Sequence, residues 1–503
     1  MAHEFASALW IPAFAGVTRY WSVIGLTHRL FIGKIMQRWF LFLFLGATAL
    51  VDAEPLPPSV VKALQQADIP LSAVGIYVRE LGAANPDIAH RADQAMNPAS
   101  VMKLVTTYAA LELLGPAYTW KTDVFATGLN GDSVSGNLTL QGHGDPALTL
   151  EDFWLMLRAL RQHGVRLIKG DLALDQSYFD LPKTDPNGFD NKGYRAYNTH
   201  PEATLISFKA ISARFIPIAD GASLKIILDP DLPQIKLQNQ VTVKPGACPN
   251  DWRDGITRDV QNGARSATIV LRGSFALDCG EKSLQFNLLS NPEFVAGVFR
   301  SLWAEMGGTW LGAIKEGKVP EGERPLLSWE SKPLGEVVRD TNKWSNNLMA
   351  RTILLSLGAE RFGAPGTPAK GERAIKAWLA QKDLEFPELV IENGAGLSRQ
   401  ERISPKSLGD LLVDAGNSPV MPELMSSLPI AGIDGTMKKR LKNNGITGRA
   451  HIKTGTLDGV KTIAGYVLSR SGKRLAVVFL VNHANAGEAD VAQDALLQWA
   501  YQK

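Results

Sequence analysis

The sequence predicts an α/β (α+β) domain built from both ends of the chain and split by a long β-rich insertion. Three features carry this reading. A strand-like run, Ala73–Leu81, is followed by a helical run, Ala99–Leu114. From Trp120 to Leu284 short apolar runs are broken by Gly, Asp and Pro, the texture of small β-rich units. Helical periodicity then returns, and the chain closes with a hairpin and a helix. At 503 residues and 45% hydrophobic, the chain can bury a sizeable core in two or three domains. With 20% charged residues, 46 Gly and 28 Pro, it is neither wholly disordered nor collagen-like.

Residues 1–53 read as a leader outside the fold. Met36-Gln-Arg38 is a short basic start, Trp39–Leu50 is apolar, and Val51-Asp52-Ala53 offers small residues before a cut. That is the layout of a cleaved secretory signal over 36–53, with Met36 the true start and residues 1–35 a mis-started extension. A membrane span needs roughly 20 apolar residues, so no permanent anchor is expected and only a loose membrane association is left open.

The mature chain begins with the Ala73–Leu81 strand. In the next helix Asn97 can cap, Pro98 sits near the first turn, and Gly115 stops the run. The insertion is placed at 121–284, leaving 54–120 and 285–503 for the main domain. Helices are expected at Pro292–Met306, Leu334–Leu357 and Pro368–Lys382. The end is a hairpin, Thr462–Ser469 with Arg474–Asn482, then a helix over Glu488–Gln502.

Net charge is +3, and removing the leader's Arg19, Arg29, Lys34 and Arg38 against Glu4 and Asp52 leaves almost none, so nucleic acid is not a partner. Cys248 and Cys279 suit an oxidising compartment. They either close one disulfide, worth about 3 kcal/mol for a loop of this size, or stand as two free buried thiols. The histidines, among them His143, His200, His451 and His483, show no ligand spacing, so neither metal nor cofactor is called for.

A nucleophilic serine needs a base, a second proton carrier and oxyanion donors. Ser-x-x-Lys at a helix start sets hydroxyl and amine one turn apart on one face, and Ser100 with Lys103 fits. Taken alone the motif is weak, being expected roughly once or twice by chance in a chain this long, and Ser59-Val-Val-Lys62 is a second copy. Ser345-Asn346-Asn347 likewise has a rival at Ser135-Gly-Asn137, whereas Lys453-Thr454-Gly455 occurs once. Order and context select Ser100, Ser345 and Lys453. Ser59 lies near the mobile mature end, and Ser135 lies in the β-rich segment. Ser-x-x-Lys, Ser-x-Asn, Lys-Thr-Gly in this order is the set of class A β-lactamases and penicillin-binding proteins.

The chain resembles the class C, low-molecular-mass penicillin-binding proteins, D-alanyl-D-alanine carboxypeptidases and endopeptidases of the bacterial periplasm. Matching blocks run almost the whole mature chain: Asn97-Pro-Ala-Ser-Val-Met-Lys103-Leu, Gly144-Asp145-Pro146, Tyr197-Asn198, Gly394-Ala-Gly-Leu-Ser-Arg399, Leu428-Pro-Ile-Ala-Gly-Ile-Asp-Gly-Thr436 and Lys453-Thr-Gly-Thr-Leu457. The resemblance implies a serine β-lactamase/transpeptidase-like domain whose long insertion, between the first two motifs, forms one or two small domains. Asn393, where Asp is common, and His143, where a small residue is usual, depart from the pattern.

The same resemblance implies roles. Ser100 attacks the D-Ala-D-Ala carbonyl and Lys103 is its base, held neutral in part by Lys453. Ser345 relays a proton to the leaving amine, and Asn347 orients Lys103 and the substrate amide. Lys453 and Thr454 of the Lys453-Thr454-Gly455 strip bind the terminal carboxylate, and the N–H groups of Ser100 and Thr456 form the oxyanion hole. The implied partners are peptidoglycan stem peptides ending in D-Ala-D-Ala and β-lactam antibiotics. Arg399 and Asp434 read as loop braces, Asp145 as a turn residue, and Met102 and Trp344 as packing. Three rivals stand beside this reading. One is a class A β-lactamase, which needs a deacylating Glu in a loop after the second motif; Phe386-Pro-Glu388-Leu-Val390 sits near that spacing, but Phe386 stands at the Glu position and Val390 at the Asn position. Another is a non-enzymatic peptidoglycan-binding or β-lactam-sensing module, and the third an esterase or aminopeptidase on the same scaffold.

Overall fold

The computed structural model describes residues 54–503 apart from 183, 184, 186, 187, 219–222 and 264. The expected leader and signal, 1–53, lie outside the described residues. No helix among the described residues is long and apolar enough to cross a membrane.

A five-stranded antiparallel sheet joins the two chain ends, in the order Ala450–Leu457, Val460–Leu468, Arg474–Asn482, Val74–Glu80, Ile88–His90. Val74 opposes Val481 and Tyr77 opposes Val478. Alternate side chains point to opposite faces. Ile76, Val78, Val477, Phe479 and Val481 share a core with the helices Pro58–Gln66 and Asp490–Gln502, while Tyr77, Ala476, Val478 and Leu480 face the core around the helix Lys103–Leu114. Burial on both faces is why Arg474–Asn482 reads as an almost unbroken apolar run. The strand Ala450–Leu457, which carries Lys453, was not foreseen; its Lys, Thr and Gly residues hide the apolar alternation.

The helix Lys103–Leu114 is buried continuously from Lys103 to Leu111, so it needs apolar residues on every side rather than one stripe. The helical run expected over Leu334–Leu357 is two helices, Leu334–Lys343 and Asn347–Phe362. Ser345 breaks it with φ +55°, and the Asn346 side chain accepts the Met349 N–H at 3.1 Å to start the second helix.

The inserted block has its own core and four small sheets. It also holds a helix the β-rich texture concealed, Leu150–Gln162, started by a Thr149–Asp152 capping box. The expected return to the main domain at 285 is too early. The helix Asn291–Glu305 sends Phe294, Val298, Phe299 and Trp303 into the inserted core, and Leu327–Glu330 pairs with Lys121–Ala126. Beyond residue 285, the main core resumes at Leu334. Periodicity located that helix but carries no information about which core it faces. Cys248 and Cys279 are disulfide-bonded, with Cα atoms 4.5 Å apart.

Candidate active site

The turn that carries Ser100 is held by two asparagines. Asn97 Oδ1 accepts the Ala99 N–H at 2.9 Å, its Nδ2 donates to the Ser398 carbonyl, and Asn482 Oδ1 accepts the Asn97 N–H at 2.8 Å. Asn97 is not the expected helix cap: it closes an Asx turn leading into a turn of 3-10 helix, Ala99–Met102, and the α-helix proper starts at Lys103 without a side-chain cap. Ala99 sits at φ +45°, an uncommon conformation for a residue with a side chain, immediately before Ser100.

Five of the expected catalytic residues form two hydrogen-bonded groups. Lys103 Nζ lies 3.1 Å from Ser100 Oγ and 2.7 Å from Asn347 Oδ1, and it donates to the Ala395 carbonyl. The last two partners can only accept, so a neutral Lys103 spends both N–H bonds on them and aims its lone pair at Ser100 Oγ. Lys453 Nζ donates to Ser345 Oγ at 2.8 Å and to the Thr454 carbonyl at 2.7 Å. Both lysines are fully buried. Burial drives Lys103 well below the ordinary lysine range, and Lys453 pushes the same way. Lys453 is itself brought down to about 7 by burial.

The Lys453–Thr456 segment lies against the nucleophile turn. A Cβ on Gly455 would stand 2.2 Å from Thr462 Oγ1 and 2.8 Å from the Ser100 nitrogen, so only glycine permits this approach. Thr462 Oγ1 donates to the Pro98 carbonyl. Thr454 Oγ1 is 2.7 Å from Thr436 Oγ1, and Thr456 is exposed on the same edge strand. Beside Ser345 and Asn347 an open cleft of about 500 Å³ runs to Tyr197, Phe208 and Gln285 of the inserted block.

The decoy motifs lie elsewhere. Ser59 is exposed on the helix Pro58–Gln66, and Ser135 Oγ donates to the Gly128 carbonyl in the insertion. Glu388 accepts the Ser404 N–H at 2.9 Å, so its carboxylate braces a helix start. Asp434 pairs with Lys343 at 2.6 Å and accepts the Ile430 N–H, Arg399 donates to the Asp458 carbonyl, and the buried Asp145 accepts the Ala147 N–H. Burial lifts the Asp145 carboxyl to about 7. Met102 is fully buried, but Trp344 is 68% exposed beside Ser345, so it is not the packing residue expected. Asn393 fills its turn with both amide atoms, accepting the Ala395 N–H and donating to the Leu397 carbonyl.

Sequence reasoning missed the floor of the site. Glu401 is fully buried and accepts the N–H groups of Glu392, Asn393 and Gly394 at 3.1, 2.9 and 2.9 Å. Arg351, partly buried, lies in the same charge network. Nothing in Gln400-Glu401-Arg402, which reads as a surface charge run, signals burial.

A family model described as D-Ala-D-Ala carboxypeptidase 3 (S13) matches residues 56–503. The chain belongs to this family. It is 29% identical over 416 residues to the D-alanyl-D-alanine carboxypeptidase of Actinomadura sp. strain R39, covering 79% of this chain and 76% of that one. The D-alanyl-D-alanine carboxypeptidase DacB of Haemophilus influenzae is 25% identical over 400 residues, 78% of this chain and 82% of that protein. The crystal structure of penicillin binding protein 4 from Haemophilus influenzae superposes with a TM-score of 0.73 at 23% identity, covering 88% of this chain and 99% of that one. The fold is therefore the penicillin-binding protein fold with its insertion, and the chain is a serine-type D-Ala-D-Ala carboxypeptidase.

Proposed function

We propose that Ser100 is the acylating nucleophile of this carboxypeptidase and that Lys103 is its base. The single observation that carries this is the placement of Lys103 Nζ, 3.1 Å from Ser100 Oγ with two oxygen acceptors as its other partners, so that its neutral form turns its lone pair to Ser100. In the proposed reaction Ser100 Oγ attacks the carbonyl of the D-Ala-D-Ala bond as its proton passes to Lys103 Nζ. The Ser100 and Thr456 N–H groups hold the oxyanion. The C–N bond then breaks, and the leaving D-alanine amine takes a proton from Ser345 Oγ, which Lys453 Nζ resupplies across 2.8 Å. Water then attacks the acyl-enzyme, its proton passing through Ser345 Oγ to the Lys453 amine that had given one up, while the ester C–O bond breaks and Lys103 returns its proton to Ser100 Oγ. Lys453, Thr454 and Thr436 hold the terminal carboxylate, and Asn347, whose oxygen faces Lys103, offers its Nδ2 to the substrate amide.

The site acts in the periplasm on peptidoglycan stem peptides. The cleft running from Ser345 to the inserted block leaves room for a second, cross-linked strand and supports a DD-endopeptidase activity. A crystal structure of the Haemophilus influenzae relative is described as complexed with a novel β-lactam, and β-lactams are proposed to acylate Ser100 here.

The test is intact-mass spectrometry with benzylpenicillin over time on the mature protein, Ser100→Ala and Ser59→Ala. A lasting adduct abolished by Ser100→Ala alone supports the reading. Fast turnover of the drug moves the site towards a β-lactamase, and no adduct on folded protein sinks the acyl-enzyme proposal.

A further inference from the structure

We infer that Glu401 is a positioning residue for acylation: it fixes the carbonyl that aims Lys103 and supplies the buried negative charge that sets how readily Lys103 gives up its proton. The inference rests on the proposed roles of Ser100 and Lys103.

Its geometry has two halves. Glu401 Oε1 gathers three consecutive backbone N–H groups, those of Glu392, Asn393 and Gly394. The residue that follows them is Ala395, whose carbonyl accepts from Lys103 Nζ. The Gly394 carbonyl accepts from Thr106 Oγ1 at 2.7 Å, one turn along the Lys103 helix, and Gly396 lies against the Ala99 carbonyl. A shift of the Glu401 carboxylate is thus passed through three residues of chain to the atom that orients the base.

The second half is Oε2, which is buried and has no hydrogen-bond partner within the protein. A solely structural carboxylate would place both oxygens on donors, because an unpartnered buried acceptor is costly. Arg351, on the helix Asn347–Phe362, has a buried Nε in the same condition. The carboxylate has Lys103, of the helix that follows Ser100, and Arg351 as its charged neighbours. Glu401 opposes burial and Lys453 by favouring the charged form of Lys103, and Arg351 acts with Lys453 to disfavour it. Burial raises the Glu401 carboxyl, and the three N–H bonds and Lys103 pull it back. The net direction is upward, so the charge that Glu401 presents to Lys103 is what the Glu401→Gln comparison reads.

Glu401→Gln keeps an amide oxygen for the three N–H groups and removes the charge, so Lys103 becomes easier to deprotonate. The acid limb of the acylation rate by benzylpenicillin should move to lower pH by about one pH unit, with the plateau rate within threefold of the parent. Glu401→Ala loses the backbone bonds and should drop the plateau at least about tenfold, as expected when a reacting group is misplaced. Thermal unfolding and circular dichroism on the same samples report whether each variant folds. A Glu401→Gln profile superimposable on the parent would overturn the inference, since a structural or already neutral carboxyl predicts no movement. Movement to higher pH would overturn it equally. If the parent itself forms no Ser100 adduct, the underlying acyl-enzyme reading fails instead, and the two failures are told apart by the parent's mass spectrum.

Discussion

Gly396→Ala tests how tightly the loop beneath the nucleophile is fitted. Gly396 sits at φ +79°, and a Cβ there would lie 1.8 Å from the Ala99 oxygen and 2.7 Å from the Ser100 nitrogen. Contacts under 3.0 Å are essentially never seen for a real Cβ, so the loop or the Ser100 turn must give way by more than an ångström. The left-handed backbone costs an L residue about 1–2 kcal/mol, and relieving such an overlap in a packed interior costs about 1–3 kcal/mol more. Displacement of a reacting group by about 1 Å can lower the rate around a hundredfold. Gly472→Ala is the control. It has φ +86° in the terminal hairpin with nothing within 4 Å, so it feels the backbone term without the collision. The assay is the second-order rate of acylation by a fluorescent penicillin, with melting temperature on the same samples. Gly472→Ala should lose about 1 kcal/mol of stability and keep its acylation rate. Gly396→Ala should lose more stability and acylate at least about thirtyfold more slowly. A Gly396→Ala protein that acylates within threefold of the parent would refute the claim that this loop fixes the nucleophile.

Asn347→Asp places a carboxylate 2.7 Å from Lys103 Nζ. An opposite charge at that distance favours the ammonium form, so acylation at neutral pH should fall at least about tenfold and its acid limb should move to higher pH, read by the same rate assay. Lys453, held at about 7 when folded against an ordinary 10.5, binds fewer protons in the native state than in the unfolded state between those values. Its contribution therefore makes stability rise with pH across that window, and Lys453→Met should flatten the rise in urea unfolding measured at several pH values. Replacing Cys248 and Cys279 by serine opens the loop they close, an effect of about 3–4 kcal/mol in the chain-entropy model. It should lower the unfolding transition of the inserted block and leave the acylation rate unchanged; equal loss of acylation would tie that block to the catalytic core.

Much of the fold was legible because its signals are local. The strand near Val74, the helix ending at Gly115 and the closing hairpin each carry their own apolar period, capping residue or turn chemistry. Two boundaries were not legible. No Gly or Pro marks the chain at Ser345, so the helix break appears only where the chain turns left-handed, and the helix Asn291–Glu305 shows the same amphipathic pattern whichever core it faces. The exposure of Trp344 was unreadable for a similar reason: an aromatic residue next to a motif looks the same whether it packs or faces a cleft.

The sequence by itself determined the chemistry on offer: a Ser-x-x-Lys pair one helical turn apart, followed in order by Ser345 with Asn347 and by Lys453 with Thr454. It also showed that a β-rich block interrupts a domain made from both ends. Tertiary structure decided which serine meets a buried lysine. Ser59 and Ser100 have the same local spacing, but only Ser100 lies where Asn347 and Ala395 arrive from distant parts of the chain to orient its lysine. The protonation of that lysine was likewise settled in three dimensions. Lys103, Lys453, Arg351 and Glu401 belong to four different segments, and the charge each carries depends on burial and on neighbours that sequence distance does not reveal.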